Sequence, residues 1–232
     1  MKKYVITLLG FIIVGFGSAL TVKACVGMGA WDAVAKSTAD IANIEVGTAG
    51  MFFNSLCVLG QLLILRKAFK SIQFLQIPFS ILLGMVINYV AYDLYTFEVD
   101  SLWMGILLYI IANTISAFGV SMVMLVNKVT FALEGFCMAI SRIFPIQFHI
   151  VRQFADIFSL ITVFIVTYLF SIPLSVGVGT VIGMFIFGPS LGLFMKLLKP
   201  GFDTMRLTDA LISQQAANHD KSSESKFIPK RS

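Results

Sequence analysis

Apolar runs long enough to cross a bilayer recur six times along the chain, at about residues 4–23, 47–65, 74–95, 102–126, 150–170 and 174–196. Each comes close to the roughly 20 residues that a helix needs to span a ~30 Å hydrocarbon core. The fifth and sixth runs are separated only by a very short turn containing Pro173. Two further segments, 26–46 (VGMGAWDAVAKSTADIANIEV) and 128–148 (KVTFALEGFCMAISRIFPIQF), are substantially apolar but too short and interrupted to cross. They occupy matching places between runs, so each predicts a short helix tucked back against or into the bundle. Such backbone is tolerated at membrane depth where protein covers it or where it lines a wet cavity.

The polar positions inside the apolar pattern suggest an internal repeat. At a shift of about 102 residues, Gly17 falls on Gly119, Phe16 on Phe118, Asp32 on Glu134 and Asn54 on Asp156. Gly84-Met85 and Gly183-Met184 occupy corresponding places in the third and sixth runs. Three spans is an odd number, so the second set runs through the membrane in the opposite sense to the first, the plan of many secondary transporters. The expected fold is therefore an all-α membrane protein of six transmembrane helices. Two inverted three-helix repeats, about 4–95 and 102–198, would each carry a short extra helix after the first span. The six-span domain would fill residues 1–198, and 199–232 would form a polar tail, disordered in part. Within it Asp203, Met205, Leu207, Leu211 and Ile212 could cap and line a short amphipathic helix on the membrane surface.

Composition agrees with this class and excludes others. With 58% hydrophobic and 12% charged residues and a mean hydropathy of +0.90, the chain is too apolar for a soluble domain of its length. Its net charge of +5 does not point to nucleic acid, because Lys and Arg sit at the ends of apolar runs and form no stripe. Their placement gives an orientation instead. With the N-terminus cytoplasmic, 15 of the 17 basic residues fall inside, leaving only Lys23 and Lys36 outside. Both termini are thus expected in the cytoplasm. Lys2 and Lys3 before an apolar run ending at Ala24-Cys25 loosely resemble an export signal, but Lys23 and the length of the run favour a retained first helix. Cys25, Cys57 and Cys137 lack CxxC spacing and read as small core residues.

Candidate chemistry rests on a few polar groups. In the first short helix Gly27 and Gly29 permit a tight turn before Trp31, and Asp32 falls in the first helical turn, where the dipole favours its charge. A helix cap and a substrate or ion contact both fit Asp32. Glu134 lies in FALEGFCMAI with no charged neighbour within five residues. A carboxylate at bilayer depth is costly, so it is expected to face a cavity or a basic partner, Lys128 or Arg142. Arg152 and Asp156 share a helix face on the fifth span and are expected to pair. Asn54, Gln61, Asn88, Asp93, Asn113 and Asn127 add amides and one acid to the second, third and fourth spans. The expected substrate or ion pathway comprises Asp32, Trp31, Asn54, Asn88, Glu134, Arg152 and Asp156, with Asp32 and Glu134 at opposite entrances. No HExxH, GxSxG, P-loop or dinucleotide fingerprint occurs, and no cluster has metal spacing. No catalytic residue, metal or cofactor is expected.

The stretches GFGSAL, GMGAWDAV, VGTAG and VGVGTVIGMFIFGPSLGLF resemble the YczE/YyaS/YitT family of bacterial integral membrane proteins. The similarity covers about residues 4–198, and its most specific part is Gly29, Trp31 and Asp32, with Ala30 where many relatives have Pro. The resemblance implies a multi-pass protein of the bacterial cytoplasmic membrane, of a kind described as transporters without an established substrate. The expectation is a secondary transporter or exporter of a small organic solute, proton- or cation-coupled, and not an enzyme. Two alternatives stand beside it: a substrate-binding membrane subunit that needs a separate ATPase, and a membrane scaffold or accessory protein. Expected partners are the lipid bilayer and an unknown solute. Nucleic acid is not among them, and a homo-oligomer or a membrane partner protein is left open.

Overall fold

The computed structural model describes residues 2–94, 99–144, 146–205 and 207. Its elements are α1 (Lys2–Ala24), α2 (Ala30–Ala42), α3 (Val46–Leu65), α4 (Gln76–Asn88), α5 (Leu102–Val126), α6 (Ala132–Ile143), α7 (Phe148–Phe170) and α8 (Val178–Thr204). No strand occurs among the described residues. A 3₁₀ turn, Arg66–Ala68, prolongs α3, another, Ser71–Leu75, leads into α4, and a π turn, Tyr89–Leu94, ends it. With these turns included, six helices are long and apolar enough to cross a membrane: Lys2–Ala24, Val46–Ala68, Ser71–Leu94, Leu102–Val126, Phe148–Phe170 and Val178–Thr204. At 13 and 12 residues, α2 and α6 reach only ~20 Å and cannot cross.

Boundaries follow local chemistry. Cys25 and Asn127, both left-handed, stop α1 and α5, and left-handed Asn43 stops α2. Asn tolerates that conformation because its short amide bonds locally. The last helix begins at Val178, later than the run of apolar residues suggests, because residues 172–177 are not helical. It also runs past the expected boundary at 198 and through Pro200 to Thr204. Proline removes one backbone bond there, and Thr204 Oγ1 donates to the Pro200 carbonyl at 2.9 Å. Asp203 thus ends a span, and Leu207 is buried. Leu211, Ile212, the rest of the tail and Glu98 lie outside the described residues.

Close backbone approach organises the bundle. α1 and α5 pack along their lengths, with α4 on α1 and α8 on α5; α3 packs on α4 and α6, and α7 on α2 and α6. A Cβ on Gly119 would lie 2.9 Å from the Gly10 carbonyl, and one on Gly84 2.5 Å from the Gly47 carbonyl. Small residues let membrane helices meet this closely without an aqueous hydrophobic drive. By contrast α7 and α8 make no substantial contact with each other. Their outer faces carry large exposed side chains, including Phe158, Tyr168 and Phe185.

Gly27 has a φ of +104°, and a Cβ there would lie 2.4 Å from the Gly177 nitrogen. Gly27→Ala should therefore lower stability by about 2 kcal/mol or more, read as a lower thermal unfolding midpoint in detergent. Gly50→Ala, where a Cβ meets open space, should not lower it. Equal effects at the two positions would mean that the α1–α2 connection does not need its glycine.

Candidate functional site

The two short helices each begin with a residue in extended conformation, Gly29 for α2 and Phe131 for α6, and each carries an acid in its first turn, Asp32 and Glu134. Free N–H groups at a helix start favour negative charge. The two starts meet inside the bundle: Trp31 packs against the cluster that holds Ala132, Leu133, Cys57, Cys137 and Val151. Phe131 packs at a tilt against Phe11 of α1, with ring centroids 4.4 Å apart, and Trp31 meets Phe53 edge-on at 6.0 Å.

Arg152 on α7 lies between the acids. Its Nε is 3.6 Å from Glu134 Oε1, and its Nη1 donates to Asp156 Oδ1. Asp32 forms no ion pair with it but lies close enough to feel Arg152, Glu134 and Asp156. Burial pushes the Asp32 carboxyl, which lies on α2 outside the six spans, up to about 6. Arg152 pulls it back, and the two other carboxylates add to the rise. Glu134 and Asp156 therefore share one guanidinium, the first as an ion pair and the second through a hydrogen bond, with Asp32 in electrostatic range of all three.

The partner of Glu134 is thus Arg152, and neither Lys128 nor Arg142. Arg142 is in the last turn of α6, two turns beyond Glu134, so it faces the other end of the helix. The structure brings the starts of α2 and α6 together beside α7, so Asp32 and Glu134 both come within electrostatic range of Arg152. Asn88 is elsewhere: it accepts from the Gly47 nitrogen at 2.7 Å and donates to Thr48 at 3.0 Å, binding α4 to α3. No hydrogen bond joins Asn54 to the charges. Asn113 is 8% exposed, its Nδ2 has no hydrogen-bond partner among the described residues, and it sits one turn from Tyr109, which feels the charge of Asp32. On the side of the bundle away from Lys2, a recess of about 510 Å³ opens beside Lys23, Lys36, Asp40, Asn43 and Tyr92.

Two polar networks escape sequence reading. Gln61 and Gln76, at 0% and 2% exposure, exchange amide bonds of 2.8 and 3.3 Å. Gln61 also donates to the Ala132 carbonyl at 3.1 Å, and Gln76 to Thr130 at 3.5 Å. Gln73 and Gln76 lie in SIQFLQIPF, where a glutamine near the start of a span suggests an interfacial position. The second network joins the α1–α2 connection to the start of α8. Thr180 Oγ1 donates to the Met28 carbonyl at 2.6 Å, the Met28 nitrogen to Ser175 at 3.1 Å, and the Gly179 nitrogen to Val26 at 2.7 Å. Ser and Thr in apolar helices give no pattern that separates such latches from local bonds.

Residues 1–196 match the family described as Family of unknown function (DUF6198). The chain belongs to this family. No curated protein and no solved structure shows a significant match to it. Membership covers all six long helices except the end of α8, so the charged cluster and both networks fall within the matched region.

Proposed function

We propose that this protein is a secondary transporter or exporter that moves a small organic solute across the bacterial cytoplasmic membrane, coupled to a proton or cation. The observation that carries the reading is the meeting of Asp32 and Glu134, each in the first turn of a half-length helix, at Arg152 and Asp156 inside a bundle of long apolar helices. An ionisable group at such depth is costly unless it serves transfer or a fixed pair, and here the negative charges outnumber the positive one. Helices that start within the bundle are also the usual framework of solute and ion sites in carriers.

The repeat supports the same reading. Cys25 and Asn127, both left-handed, occupy corresponding positions about 102 residues apart. The packing of α2 on α7 has its counterpart in α6 on α3, and that of α4 on α1 in α8 on α5. Inverted halves in which the first three spans answer the last three would have this pattern. The basic residues orient both termini to the cytoplasm, so the recess beside Lys23 and Lys36 would face outward. The likeness to the YczE/YyaS/YitT family agrees with this location.

The test uses purified protein. A thermal-shift screen of metabolites and antibiotics identifies ligands that stabilise by mass action. Each hit is then added to proteoliposomes that contain a pH-sensitive dye. Solute-driven proton movement by the protein alone, absent in Arg152→Gln, is the expected result. Solute uptake only after addition of an ATP-hydrolysing partner would replace the reading with the subunit alternative, which the separated, outward-facing α7 and α8 also favour.

A further inference from the structure

We infer that the two hydrogen-bonded networks are the paired gates of this bundle, one near each membrane face, and that each gate is built into the short helix carrying one of the central acids. The first gate joins Gln61, Gln73 and Gln76 of the α3–α4 region to Thr130 and Ala132 at the start of α6. It lies on the side of Lys2, where α3 ends and α4 begins. The second joins Ser175, Gly179 and Thr180 to Val26 and Met28 before α2, with Ser37 donating to Ser175 at 3.1 Å. It lies on the opposite side, where α7 ends and α8 begins.

The positions correspond: Thr130 lies 102 residues after Met28, and Gln76 lies 102 before Val178, between Gly177 and Gly179 of the second gate. The chemistry of the gates differs. The first is made chiefly of side-chain amides, at 0% and 2% exposure for Gln61 and Gln76. The second is made of backbone groups and the hydroxyls of Ser37, Ser175 and Thr180. Both sets of hydrogen bonds are formed in this structure.

Each gate is mechanically joined to the charge on its own helix. Thr130 and Ala132 lead directly into the turn that holds Glu134, and Met28 leads through Gly29 into the turn that holds Asp32. A shift of α6 that loosens Glu134 from Arg152 draws Ala132 away from Gln61. A shift of α2 that moves Asp32 draws Met28 away from Thr180. Both short helices bear on α7, α6 through the Glu134–Arg152 pair and α2 through packing on Val163, so the two attachments are separate. One gate can thus open while the other stays shut. Their use as transport gates rests on the function proposed above, whereas their existence as separable latches does not.

The native thiols are suitable reporters. Cys57 and Cys137 are buried, one turn from Gln61 on α3 and two residues from Gly135 on α6, while Cys25 is exposed. In a Cys25→Ser background, N-ethylmaleimide should label Cys57 and Cys137 at least tenfold faster in Gln61→Leu than with Gln61 present. The milder Thr130→Val should raise the rate by a smaller factor. A cysteine placed at Ala33, which packs with Met28 and Val176 behind the second gate, should stay protected in both. Thr180→Val should invert the pattern, exposing position 33 and leaving Cys57 and Cys137 protected. Unchanged rates in all three variants, or simultaneous exposure of both sets of thiols in Thr130→Val and Thr180→Val, would overturn the inference. Labelling needs no solute, so crossed labelling without any flux would uphold the latches and remove the transport reading instead.

Discussion

Replacing Arg152 with glutamine should abolish solute-dependent flux and lower stability by about 2 kcal/mol at pH 7.5, both relative to the native chain. Among the described residues Arg152 is the single cation in contact with Glu134 and Asp156, and its loss leaves three mutually repelling carboxylates in a half-buried site. Removing one member of a fully buried pair costs about 3 to 5 kcal/mol. The smaller figure reflects side chains that are 29% to 32% exposed and therefore partly screened. Thermal unfolding in detergent measures the stability, and proteoliposomes normalised to folded protein measure the flux.

Two companion variants separate charge from geometry. Arg152→Lys keeps the charge but offers a compact ammonium that cannot meet Glu134 through Nε and Asp156 through Nη1 at once. It should recover much of the stability and little of the flux. Arg152→Gln combined with Glu134→Gln and Asp156→Asn removes the repulsion as well and should restore the unfolding midpoint with flux still absent. Full flux in Arg152→Lys would mean that a general positive potential suffices, and the shared bonding of two acids would have no role.

The long helices were legible because apolar length alone marks a span, and the starts of α5 and the end of α1 lie close to where hydropathy put them. The short helices were legible for the same reason in reverse, being apolar yet too short to cross. What could not be read was which residues meet across them. The i, i+4 spacing of Arg152 and Asp156 is a local geometric fact, whereas the pairing of Arg152 with Glu134 depends on how α6 lies against α7. Sequence proximity favoured Lys128 and Arg142, and tertiary packing chose otherwise. In the same way the inverted-repeat idea sent Asp32 and Glu134 to opposite entrances, because a symmetry operation fixes sidedness without fixing depth. In the structure the starts of both helices lie beside α7, where Glu134 pairs with Arg152 and Asp32 is within its electrostatic range. The buried Gln61–Gln76 pair was hidden for a further reason: an amide at the start of an apolar run reads as interfacial until a second amide is shown to face it.

Asp32→Asn should make the protein more stable than the native chain at pH 8, and the difference should vanish as the pH falls toward 4. Burial raises the Asp32 carboxyl from 3.8 to about 6, so between those values the folded chain holds a proton that the unfolded chain has already lost. Stability contributed by this group therefore falls as the pH rises through that window, and above about 6 the native state carries a poorly solvated charge. Asparagine has nearly the same size and no charge to bury, so it removes that penalty and the slope together. The measurement is the unfolding midpoint of both proteins from pH 4 to 8. If Asp32 served instead to cap α2 or to hold Arg152, its replacement would destabilise most at pH 8, where its charge is complete. A midpoint for Asp32→Asn below that of the native chain at pH 8 would therefore reject the proton-holding role. On the transport function proposed above, flux in Asp32→Asn should lose its pH dependence between about 5 and 7.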